Sequence, residues 1–165
     1  MDIDKLRYLV NSYEGPKLDF KEKFSVDEDN EKKELARDVC AIANSRGGRG
    51  YIIFGIKDKT GEVVGVDDKE IEEERVQQIV TNRTEPPIQI RLEKVDYDEK
   101  KLLVLTVFKS DSRPHQVKQN GTFYIRRGST TDNAHRDEIA SMMQESGILS
   151  FETIMLGHIS IDMLD

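Results

Sequence analysis

The sequence predicts an α+β domain, with a mixed, mostly antiparallel sheet and helices packed on it. Three observations lead there. Apolar runs of strand length are interspersed with stretches of helical periodicity. Two pairs of such runs sit across short turns and read as antiparallel hairpins: residues 51–56 with 62–66, and 88–97 with 101–108. The length, 165 residues, suits one domain able to bury a core. The domain is expected over residues 1–147. Residues 148–165 form a tail, apolar in patches without a period, that packs on the core, pairs with another subunit or frays.

Taken in order, residues 6–12 suggest a short helix with Leu6, Leu9 and Val10 on one side, broken by Gly15-Pro16. Residues 17–24 alternate, Leu18 and Phe20 one way and Lys17, Asp19 and Lys21 the other, as in a half-buried strand. After a polar loop, residues 31–43 place Leu35, Ala36, Val39, Cys40, Ile42 and Ala43 on one helical stripe. Gly47, Gly48 and Gly50 then form a turn, and residues 51–56 a buried strand. Gly55 inside it signals a bulge or a close approach. Residues 70–81 read as an amphipathic helix, with Ile71, Val76, Ile79 and Val80 inward, ended by Pro86-Pro87. Asp98-Glu99-Lys100 turns the second hairpin. Residues 110–121 are a polar loop, 122–127 a last strand, and 133–144 a closing helix with Ile139, Met142 and Met143 inward.

The net charge of −7 argues against a protein that coats nucleic acid by bulk electrostatics. It leaves room for a local basic groove, because the acids concentrate in residues 27–34, 67–74 and the C-terminal end. No apolar run reaches the ~20 residues of a membrane helix. The acidic, mixed start of the chain is no secretory signal. Cys40, the single cysteine, excludes an intramolecular disulfide and reads as a buried structural thiol, which fits a cytoplasmic protein. His115, His135 and His158 lack zinc-ligand spacing, and His115 reads as a loop residue at a binding face. Gly47-Gly48-Arg49-Gly50 lacks the P-loop pattern and follows a helix instead of a strand, so no nucleotide site is expected.

Residues 41–58, with 14–21 before them and 62–66 after, resemble the AlbA_2 domain that also forms the core of Schlafen proteins. Residues 123–131, Phe-Tyr-Ile-Arg-Arg-Gly-Ser-Thr-Thr, resemble the same family's second signature. The resemblance implies a nucleic-acid-binding domain, a possible transcriptional regulator that contacts backbone with low sequence preference. By the same resemblance Arg46, Gly48, Arg49, Lys57, Arg113, Arg126, Arg127, Ser129 and Thr130 border the binding face. It also implies an alternative, a metal-dependent endoribonuclease of structured RNA. There Glu14, Asp19 and Asp58 match the metal-holding carboxylates, and Lys21 meets the phosphate. Many members carry Glu where Asp19 stands, one methylene longer. Clustered carboxylates suit Mg²⁺ or Mn²⁺. Schlafen cores place two copies of the fold face to face, so a homodimer is the expected way to build a groove. The competing structural reading makes Lys17, Asp19 and Lys21 a surface ion-pair strip, the glycines mere turns, and Arg126 or Arg127 internal partners of acids. A third reading is a protein-interaction module that kept the fold alone.

Overall fold

A computed structural model of the chain describes residues 1–149 apart from Asp68. The elements run α1 (Ile3–Val10), β1 (Leu18–Lys21), α2 (Asp29–Asn44), β2 (Gly50–Phe54), α3 (Glu73–Arg83), β3 (Thr84–Glu85), β4 (Ile90–Tyr97), β5 (Lys100–Val107), β6 (Gln116–Val117), β7 (Tyr124–Arg127), β8 (Thr130–Asn133) and α4 (Arg136–Glu145). The main sheet has the order β1-β2-β5-β4, and β3-β6 and β7-β8 form small antiparallel pairs. The fold is α+β. The readings of the tail beyond Leu149 fall outside the described residues.

Strands β1 and β2 are parallel, with Asp19 opposite Ile52 and Lys21 opposite Phe54. A parallel pair needs a long crossover, and α2 supplies it. Strand β5 lies antiparallel on the other side of β2, and β4 closes the sheet. Both faces of the sheet are covered. Leu6 and Leu9 of α1 pack against Leu18, Phe20, Ile53, Leu102 and Val104 on one face. Val39 and Ile42 of α2, with Val76 and Val80 of α3, pack against Ile52, Phe54, Leu103 and Leu105 on the other. Covered on two sides, β5 is continuously apolar from Leu102 to Leu105 instead of alternating.

Helix α2 starts at a capping box in which Glu28 and Glu31 satisfy each other's backbone N–H groups. It packs tightly on the sheet at Gly50, where a Cβ would stand 2.1 Å from Ile42 Cγ2. At Gly55 the chain turns with φ +107°, and a Cβ there would meet Leu102 and the backbone of Gly65 at about 3 Å. The close approach expected at Gly55 is thus real, and Gly50 makes a second.

Two expectations change. Residues 62–66 do not make a hairpin ladder with β2: β1 and β5 already occupy both its edges. Only a single bridge, Ile56 to Val63, forms beyond the strand's end. The closing helix starts at Arg136 instead of 133, because residues 130–133 turn back as β8 against β7. Gly128, at φ +60°, sits in the two-residue turn between Arg127 and Thr130.

Candidate nucleic-acid interface

The alternation of β1 sends Leu18 and Phe20 to the α1 face and Asp19 and Lys21 toward α2. Asp19 is 8% exposed and Asp38 of α2 is 3% exposed, so their charges need partners. Lys21 Nζ lies 3.1 Å from Asp38, 3.4 Å from Glu34 and 3.6 Å from Asp19. Burial alone lowers the pKa of this amine, but Asp38 and Asp19 outweigh it and hold the lysine above its usual value. Burial raises Asp38 against the pull of Lys21. Arg126 approaches from β7: it lies 3.6 Å from Asp19 and donates to the carbonyls of Gly15 and Leu18. Glu14 accepts from the Phe20 N–H at 2.7 Å, and burial with the neighbouring Asp19 raises its pKa. These groups form an internal ionic cluster that ties β1, α2 and β7 together.

Glu14 and Asp19 therefore meet. Asp58 lies in an exposed turn, four residues beyond Phe54, the partner of Lys21. Among the described residues, no three of His, Cys, Asp and Glu are grouped so as to hold a metal ion. The physical reason is twofold. Asp19 and Asp38 are already neutralised by Lys21 and Arg126, and the chain leaves the sheet at Gly55 before Asp58 is reached. Glu14, Asp19 and Asp58 do not form such a group among the described residues. Lys21 is held among carboxylates instead of facing an open phosphate site.

A second constellation surrounds the glycine turn. Lys17, Arg46, Gly47, Gly48, Lys109, Ser110 and Arg113 line a cleft of about 490 Å³, with Asp111 and Glu145 also on its walls. Four cations against two anions reverse the sign of the whole chain. The Lys17 Nζ donates to the Ile42 carbonyl at 2.7 Å, near the C-terminus of α2. Lys17 and Lys109 have no carboxylate partner among the described residues. Burial, with Arg113 adding like-charge repulsion, lowers the Lys17 amine to about 8. Arg113 donates to the Asn44 carbonyl at 2.7 Å and pairs with Glu145, and Arg46 reaches the same carboxylate at 3.1 Å.

The cleft's rear wall is braced by Asn44, which is wholly buried. Its side chain donates to the His115 and Tyr124 carbonyls and accepts from the His115 N–H at 2.7–2.8 Å. His115, expected at an exposed binding face, is instead 1% exposed. Its Nδ1 lies 2.6 Å from the Pro86 carbonyl, which can only accept, so Nδ1 carries the proton and Nε2 accepts from the Ser110 hydroxyl. Burial lowers the imidazole's pKa and keeps it neutral.

A profile of the family described as Schlafen, AlbA_2 matches residues 14–135. The chain belongs to the Schlafen AlbA_2 family. A comparison with curated proteins gave no match. Among solved structures, the AlbA_2 chain is similar to the DIP2311 protein of Corynebacterium diphtheriae, at 19% identity and TM-score 0.64. That match covers 86% of this chain but 28% of the other, so this chain spans under a third of that protein. It is also similar to the N-terminal domain of a protein of Nitrosomonas europaea described as ATP-dependent DNA helicase RecG-related. There the identity is 22% and the TM-score 0.51, over 81% of this chain and 91% of that one. At such identities the likeness is one of fold.

The AlbA_2 residues expected at a nucleic-acid face divide in the structure. Arg46, Gly48 and Arg113 line the cleft. Arg126 is buried in the ionic cluster, and Arg127 is paired with Asp132 and Glu138. Arg49 lies over the Phe108 ring, 5.0 Å from its centre, and Lys57 lies 3.4 Å from Glu62. Ser129 and Thr130 are exposed on the β7–β8 hairpin. Sequence reasoning missed Lys17, Lys109 and Asn44. Lys17 carried a signal, since it adjoins Gly15-Pro16 at the start of β1, where the strand begins to face the glycine turn. Lys109 carried none beyond its place in a polar loop. Among the described residues no helix is long and apolar enough to cross a membrane.

Proposed function

We propose that this AlbA_2 domain binds nucleic acid through the sugar–phosphate backbone, at the cleft between the glycine turn and the 109–113 loop. The observation behind it is Lys17, a partly buried amine that no carboxylate neutralises among the described residues and that Arg113 repels. Such a site stores unfavourable charge that a phosphate relieves. Arg46 and Lys109 extend the cationic lining, and Gly48 leaves its backbone open, with nothing within 4 Å of where a Cβ would stand. Contacts of this kind position a backbone without reading bases, so sequence preference is low. The DNA-helicase description of the Nitrosomonas europaea neighbour is in keeping with a nucleic-acid role. The same reading accommodates a cytoplasmic regulator and a homodimer that joins two clefts into a longer groove.

The experiment is a titration of labelled single-stranded and duplex DNA and RNA at two salt concentrations, for wild type and for Lys17→Gln with Lys109→Gln. Wild type binds at low salt, and the affinity falls steeply as salt rises. The double variant binds more weakly, with a salt slope shallower by about 1–2. No binding by wild type at low salt refutes the proposal and leaves a protein-interaction module.

A further inference from the structure

Glu145 is the last residue of α4, and its two carboxylate oxygens have different partners. One accepts from Arg46 at 3.1 Å and the other from Arg113. Arg46 comes from the glycine turn and Arg113 from the opposite loop, so this single carboxylate bridges both walls of the cleft. Two anionic oxygens held between guanidinium groups present the chemistry that those groups offer a phosphate. The Arg46 half of the bridge is lightly fastened, while Arg113 is largely buried. The Arg46 side chain is 81% exposed, and an ion pair so open to water contributes little to stability. Helix α4 itself buries only Met142, and the chain leaves it at Gly147 with φ +82°.

We infer that Glu145 occupies the phosphate subsite of the cleft from within the chain, and that a nucleic-acid phosphate enters by displacing it from Arg46 and Arg113. This rests on the cleft being the binding site. The end of α4 is then a built-in competitor. The affinity of wild type is set by the exchange of one anion for another, and releasing Glu145 loosens the last turn of the helix.

The test uses the full chain and a labelled single-stranded oligonucleotide at low salt, read by anisotropy. Glu145→Gln binds about tenfold tighter than wild type, with a steeper salt dependence as both arginines become available. Glu145→Asp, which keeps the charge, stays within about twofold of wild type. Equal affinities for wild type and Glu145→Gln overturn the inference and leave the cleft reading standing. Binding by neither, at any low salt, overturns the cleft reading and this inference with it. A measurement on wild type alone covers the case in which Glu145→Gln does not fold. Amide hydrogen exchange of residues 142–147 speeds up on saturation with the oligonucleotide, and unchanged or slower exchange overturns the displacement.

Discussion

Replacing Lys17 by Met removes the positive charge from the cleft while keeping a flexible side chain to cover the end of α2. In the folded protein the Lys17 amine is lowered to about 8, against an ordinary value of 10.5. The gap is worth roughly 3 kcal/mol in a dry site, at about 1.4 kcal/mol for each tenfold change. Lys17 is only partly buried, so water access reduces this to roughly 1–2 kcal/mol. The sign follows from proton counts. Below about pH 8 the lysine is charged in both folded and unfolded chains, and the folded state carries the full penalty. Between about pH 8 and pH 10.5 the folded chain loses its proton first. The unfolded chain then binds more protons, and stability rises with pH. Lys17→Met lacks this contribution. From about pH 7 to about pH 9.5, wild type should therefore gain about 1 kcal/mol on the variant, read by urea denaturation at each pH. At pH 7 alone the comparison is blurred, because the variant also loses the bond to the Ile42 carbonyl, worth about 1 kcal/mol. The pH dependence is not blurred by it. A stability difference that stays flat with pH, or moves against wild type, would falsify the account of Lys17 as an unneutralised buried amine.

Other outcomes follow from the same geometry. Oligonucleotide affinity of wild type falls as pH rises through about 8, where Lys17 loses its proton. The decline is much smaller in Lys17→Met, and parallel profiles by anisotropy contradict Lys17 as a phosphate contact. Asn44→Ala removes three hydrogen bonds and strands the buried His115 N–H, so it destabilises by about 2–4 kcal/mol in urea titration. Gly50→Ala pushes a methyl into Ile42 and destabilises by about 2 kcal/mol or more, whereas Gly48→Ala, with open space around it, shifts the thermal midpoint little. Lys21→Met leaves buried Asp38 with only the more distant Arg37, at 4.0 Å, and destabilises by about 2–3 kcal/mol. Its oligonucleotide affinity at a temperature where it is folded matches wild type. Millimolar Mn²⁺ or Mg²⁺ should not raise the melting temperature of wild type, and a clear rise in differential scanning fluorimetry would contradict the absence of a three-carboxylate site among the described residues.

Much of the scaffold was legible because local patterns reported burial directly. Leu18 and Phe20 alternate with Asp19 and Lys21 because the two faces of β1 meet different surroundings. The turn after β4 was legible from Asp98 and Glu99, which adopt φ of +44° and +67° in a tight two-residue connection. Strand β8 was not legible, since Thr-Thr-Asp-Asn is polar and pairs only with β7 across Gly128. Residues 62–66 looked like a hairpin partner of β2, because a pattern shows an apolar run without showing which edges are free. At the site, Arg113 in the polar loop and Arg126 in the second family signature looked alike as arginines bordering a binding face. Their carboxylate partners, Glu145 and Asp19, are 32 and 107 positions away in the chain, too far for spacing to reveal.

The main helices and strands, the apolar faces and the family were determined by the sequence by itself, because each depends on neighbours within a few residues or on a recognisable run. The tertiary structure alone decided which charges are spent and which remain available. Lys21 and Arg126 are consumed by buried acids, while Lys17 and Lys109 are left facing a cleft. The reason is that the field at an ionisable group is summed over distance in space, and the fold brings β1, α2, β7 and the 109–113 loop to within a few ångströms of one another.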